Sequence, residues 1–175
     1  MKKLYLIILI LILIFCSGFN VTISYQPNVD KIEAVFKSAL PKECGIIYTK
    51  VPRGLIISID EKCFFNEGEA RIKESSLYIL DTIASLLHTL PNYCVVEDHT
   101  ENNNFENSDY KENWELSMSR SANIVEYLVK YKNLPNWQLF ALGFGEFMPF
   151  RDNVAAINGM DKRIDFVIIE YEARR

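Results

Sequence analysis

The chain has 175 residues, 49% of them hydrophobic and 24% charged, with a formal net charge of -4. On a soft prior of about 150 residues per domain, that is one domain plus an appendage, large enough to bury a core without a metal or a disulfide framework. Acidic and basic residues are interspersed, so the basic face that nucleic acid binding needs is missing, and the balance argues against nucleic acid as a partner.

Met1, Lys2 and Lys3 form a short basic head before an apolar run from Leu4 to Phe15. Twelve helical residues reach about 18 Å, short of the roughly 30 Å hydrocarbon core, so the run alone reads as a signal-peptide core. Three readings stay open: cleavage after Gly18, a retained anchor extended through residues 4–24, and acylation of Cys16. Each exports the rest of the chain to the cell envelope. Residues 1–18 are accordingly read as a leader or anchor, 19–44 as a linker with a short helix, and 45–175 as the folded domain.

Within the linker, Ile32, Val35, Phe36 and Leu40 recur at helical spacing over Val29 to Leu40, bracketed by Pro27 and Pro41. Ile46 to Lys50 and Leu55 to Asp60 read as strands joined by the turn Val51-Pro52-Arg53-Gly54. A stripe from Ile72 to Leu90 predicts a helix over Glu69 to Leu90, stopped by Pro91. Tyr93 to Glu97 is a short strand running into a polar, Asn-rich loop from His99 to Glu112. Asn113 to Leu128 predicts a second long helix with Trp114, Ser117/Met118, Ser121, Ile124/Val125 and Leu128 on its buried stripe. Arg120 falls off that stripe, so its guanidinium is expected at the flank with its fork free. Asn113 is also a candidate helix cap. Trp137 to Leu142 and Ile164 to Tyr171 complete the strands, the last apolar at both parities as a strand covered on both faces would be. Cys44 and Cys63 flank the first hairpin and can meet at its open end. The alternative is that these two and Cys94 are three separate buried thiols.

Several spaced segments resemble the OmpA/MotB-like peptidoglycan-binding domain: His99-Thr100, then Asn113, Leu116, Ser117 and Arg120, with Arg53 to Ser58, Phe65-Asn66-x-Gly68-x-Ala70, Gly143 to Glu146 with Pro149, and Lys162 to Ile164. The Asn-Trp-Glu-Leu-Ser form is most similar to the flagellar-stator branch. The resemblance implies an α/β two-layer sandwich, with two main helices on a mixed four-stranded sheet plus an extra N-terminal hairpin strand. It also implies a peptidoglycan ligand, the diaminopimelate of the wall peptide, whose ammonium and carboxylate call for a carboxylate and an Arg fork. By position, Glu101 stands where the family has its ligand-binding Asp, and Arg120 where it has its Arg. Asn113 shapes the helix start. Arg163 matches the second Arg of a further family run, either adding positive charge beside the pocket or bracing the loop after Gly145. Asp98 stands where the family usually has Gly.

No enzyme motif surrounds a Ser or Cys, and only His88 and His99 are histidines. His99 sits near Glu97, Asp98 and Glu101, with Cys94 upstream, but without paired-ligand spacing, so no metal and no cofactor are expected. The expectation is a non-enzymatic envelope protein that holds the cell wall, with a homodimer left open. A motor-stator subunit and a module that has lost its ligand are the alternatives. The apolar leader lacks the acidic residue an ion-conducting role requires.

Overall fold

The computed structural model describes residues 29–100, 109–147 and 161–172. Glu101 and the leader therefore lie outside the described residues. Among those described, no helix is long and apolar enough to cross a membrane.

The chain runs α1 (Val29–Ala39), β1 (Ile47–Val51), β2 (Gly54–Asp60), α2 (Leu77–Leu87), β3 (Asn92–His99), α3 (Asn113–Lys130), β4 (Leu139–Gly145) and β5 (Arg163–Glu172). The sheet order is β1-β2-β5-β3-β4, parallel only between β3 and β4 and antiparallel elsewhere. The two parallel strands are joined through α3, the crossover such a pair requires. Three helices packed on a mixed five-stranded sheet give the two-layer α/β architecture expected, with the hairpin strand β1 at one edge.

Alternation divides each strand between two faces. Leu55, Ile57 and Ile59 of β2, Cys94 and Val96 of β3, and Ile164, Phe166 and Ile168 of β5 join the helices in one core. On α2, Ile79, Leu80, Ile83, Ala84 and Leu87 are buried. Ile32 and Phe36 of α1 enter the same core, so the described part of the predicted linker packs with the domain. Cys44 and Cys63 are bridged, which ties the segment after α1 to the end of β2, while Cys94 is a buried free thiol.

Two helix expectations are corrected. The helix predicted from Glu69 begins only at Leu77, after a 3-10 turn over Glu74–Ser76. The preceding residues are held out of a helix because the carbonyls of Asn66, Glu69 and Ala70 are spent on side chains of α3. The stripe on α3 is also rotated: Leu116, Ser117, Arg120, Ser121, Ile124 and Leu128 are buried, whereas Trp114 and Met118 are exposed.

The rotation follows from glycine in β4. A Cβ at Gly143 would lie 2.2 Å from the backbone nitrogen of Met118, so the helix rests on bare strand through its small residues and large side chains are pushed to the flank. Gly143→Ala should therefore separate α3 from β4. We expect destabilisation of about 1 to 3 kcal/mol, as for overpacking in a tight core, read as a lowered denaturation midpoint with an unchanged slope.

Candidate functional site

Arg120 is fully buried, which corrects the expectation of a guanidinium free at the helix flank. Its Nε donates to the Glu69 carbonyl at 2.8 Å and one Nη to the Asn66 carbonyl at 3.0 Å. The other Nη donates to Glu61 Oε2 at 2.5 Å and to Thr100 Oγ1 at 3.0 Å. Its Cζ lies 5.0 Å from the Phe65 ring centre. A permanent charge with five N–H donors is stable away from water only when so enclosed. The carboxylate partner of Arg120 is Glu61, while Glu97 takes a bidentate pair from Arg53 at 2.8 and 3.0 Å.

Around this ion pair the first turn of α3 is locked to the end of β4. Asn113 Nδ2 donates to Glu146 Oε2 at 3.0 Å, and Ser117 Oγ accepts the Gly145 N–H at 2.9 Å. The cap position belongs to Glu112, with Asn113 as the first helical residue, which corrects the capping role considered for Asn113. On β3, Thr100 N–H donates to the Gly145 carbonyl, so β3, β4 and α3 meet at one point.

Asp98 lies wholly buried beneath the network, its Oδ1 at 2.7 Å from Thr100 Oγ1 and its Oδ2 without a hydrogen-bond partner among the described residues. Burial pushes its pKa up to about 7, against the opposing pull of the Arg120 charge and the Thr100 hydrogen bond. The cluster thus holds a carboxylic acid that keeps its proton near neutrality.

Arg163 is on the other side of the sheet. Its parity matches Asp165 and His99, and its Nε donates to Asp165 Oδ2 at 3.0 Å. His99 is buried there, with Nε2 at 3.3 Å from Asp165 Oδ2 and 3.8 Å from Glu97 Oε2, and its ring stacked on Phe144 at 5.0 Å. Glu97, His99 and Asp165 bring three metal-type donor atoms within 4.8 Å. Each carboxylate already faces a guanidinium, Arg53 on Glu97 and Arg163 on Asp165, so the charge a cation would supply is present in the chain itself.

The structure thus gathers Arg120, Asn113 and the base of the His99 loop, and sets Arg163 apart on the opposite face. Sequence reasoning missed Glu61 and Asp165. Asp165 left a trace, a carboxylate inside an otherwise apolar strand. Glu61 left none, because it follows the strand as one acid in a polar turn.

The family model that matches residues 64–160 is the OmpA family, and the chain belongs to it. It is 35% identical over 101 residues to the uncharacterized protein YtxE of Bacillus subtilis (strain 168), covering 58% of this chain and 42% of that one. It is 30% identical over 118 residues to motility protein B of the same organism, covering 66% and 45%. The chain therefore spans less than half the length of these curated relatives. In fold it is similar to the cell wall anchor of the T6SS from Pseudomonas aeruginosa, with a TM-score of 0.66 and 18% identity over 83% of this chain and 99% of that one.

Asp98 generates a prediction on stability. Its folded pKa of about 7 lies above the ordinary 3.8, so the folded state keeps a proton that the unfolded chain loses. Its contribution is most favourable at low pH, declines as pH rises between those two values and is level beyond, a loss on the order of a few kcal/mol. Asp98→Asn removes that decline. Urea denaturation from pH 4 to 8 should show the stability difference between variant and parent moving in the variant's favour as pH rises through this window; a constant difference would show that Asp98 ionises freely.

Proposed function

We propose that this chain is a non-enzymatic envelope protein that holds peptidoglycan, with the wall peptide's diaminopimelate bound between Glu101 and Arg120. Membership of the OmpA family supports the reading, and by resemblance of the motifs Glu101 and Arg120 stand where the family has its ligand-binding Asp and Arg. Asn113 ties the first turn of α3 to Glu146, and Arg163 braces the end of β3 from the other face of the sheet. The similarity in fold to a cell wall anchor points the same way. Placement in the envelope, through a cleaved leader or an anchor over residues 4–24, belongs to the same proposal, as does a homodimer.

Among the described residues Arg120 makes four hydrogen bonds from its five N–H groups, which leaves one Nη2 donor for an incoming carboxylate. A ligand carboxylate that takes more than this donor has to displace an internal partner. A second reading, a motor-stator subunit, is favoured by the identity to motility protein B. The lack of an acidic residue between Leu4 and Phe15 weighs against ion conduction. A deletion strain that assembles flagella but cannot swim would favour the stator.

Because Arg120 is buried, Arg120→Lys would lose fold stability together with binding, and the ligand is the better thing to alter. A synthetic peptide with free diaminopimelate should bind, and amidation of its carboxylate should weaken binding by about 1 to 3 kcal/mol, the range for a charged hydrogen bond. Glu101→Gln should weaken it comparably, while Glu101→Asp, the family's usual residue, should bind equally or better. Calorimetric titration reads all four. Equal affinity for the free and amidated peptides would remove Arg120 from ligand contact, and no cosedimentation with purified wall sacculi would leave a module without a wall ligand.

A further inference from the structure

On the sheet face away from the helices, two polar rows cross three strands. Ser58, Asp165 and Glu97 are register partners across β2, β5 and β3, and Asp60, Arg163 and His99 form the next row. Ser58, Glu97, His99, Arg163 and Asp165 are all buried. His99 is the last residue of β3, beside a register shift between Asp98 and His99, and Thr100 after it carries the hydroxyl that meets Arg120. The belt and the candidate ligand site therefore share one strand end, on opposite faces.

We propose that His99 is a protonic latch on the wall-peptide site: its charged ring clamps Glu97 to Asp165 and fixes the end of β3, so that Thr100 and Arg120 stand ready for the ligand, and loss of that charge loosens the clamp and weakens binding. This rests on the reading of the site given above.

The geometry requires a donor at His99 Nε2, since that atom faces a carboxylate oxygen on each side. A neutral ring with its proton there still points an N–H at the carboxylates but loses the charge that offsets two adjacent acids. In a buried setting that loss is poorly screened. Among the described residues, the other charges around the ring have partners of their own. Arg163 on β5 pairs with Asp165, and Arg53 from the β1–β2 turn pairs with Glu97. Asp60 on β2 is engaged by Lys62, and β4 presents the uncharged Phe144. On the helix side, Asp98 and Glu61 are gathered round Thr100 and Arg120.

Burial alone would lower the His99 pKa, but the adjacent Asp165 and Glu97 carboxylates outweigh it and the net direction is upward. The facing His99 ring in turn helps hold Glu97 and Asp165 below their ordinary values in spite of burial. With the folded pKa raised, the latch contributes fully below the ordinary value of 6.5 and is lost as pH rises through the folded pKa. Coupling runs through Thr100 N–H on the Gly145 carbonyl and Gly145 N–H on Ser117 Oγ, which join the end of β3 to β4 and the first turns of α3.

The chain has two histidines, so His88→Gln leaves His99 as the only imidazole signal. In that background, proton NMR gives the His99 midpoint, and calorimetry of the full chain with the diaminopimelate peptide gives affinity from pH 5 to 9. Affinity should fall on the alkaline side by about tenfold, one pKa unit of coupling, with its midpoint at the NMR midpoint. Asp165→Asn should move both midpoints down together, and His99→Gln should remove the step. An affinity that stays flat through the His99 titration, or a binding midpoint that stays put when Asp165→Asn moves the NMR midpoint, overturns the latch alone. Absence of binding at every pH, with His99 titrating normally, overturns the wall-peptide reading and the latch as its regulator.

Discussion

A buried guanidinium that cannot shed its charge is the constraint around which this domain is arranged. Arg120 has to be met on every side, and its partners come from two parts of the chain: the stretch after β2, with Glu61, the Phe65 ring and the Asn66 and Glu69 carbonyls, and Thr100 just beyond β3. The delayed start of α2 is one consequence, because backbone carbonyls committed to a side chain are unavailable to a helix. The small surface of α3 is another. Ser117 and Ser121 let the helix approach β4 closely while its one long inward residue reaches past the strand end. Removing either partner of such a pair leaves an uncompensated charge, costing about 3 to 5 kcal/mol.

The sheet separates two polar systems that the chain places one residue apart. Thr100 faces the helices and Arg120, while His99 faces away toward Glu97, Asp165 and the Phe144 ring. In a parallel β3–β4 pair connected by α3, the strand end is where a loop can present groups to a ligand, and rigidity there comes from both faces. In the function proposed here, a peptide bearing an ammonium and a carboxylate is recognised by two opposite charges at fixed spacing, and a firmly held strand end serves that recognition.

Arg163 and Arg53 show how resemblance to a family and physical role diverge. Both lie in segments that match the family pattern, yet here each guanidinium neutralises a carboxylate on the far face of the sheet. The three donor-type side chains of that face look like a metal set when their distances are taken alone, and like a closed ion network once both guanidiniums are counted.

Hydrophobic periodicity and turn residues determined the existence, kind and order of the elements, because burial of one stripe or alternate residues is a local property of the chain. The motif of His99, Asn113, Ser117 and Arg120, together with the other spaced segments in order, also pointed to the family. Where charges lie was decided only in three dimensions. Arg120 and Glu61 are 59 residues apart, and Glu97 meets Asp165 because β5 inserts between β2 and β3. The exposure of Trp114 depends likewise on Gly143 and Gly145 passing beneath a helix that precedes them. A one-dimensional pattern counts an Arg as polar and turns it toward water. Whether it can be buried depends on partners that strand order and register alone bring to it.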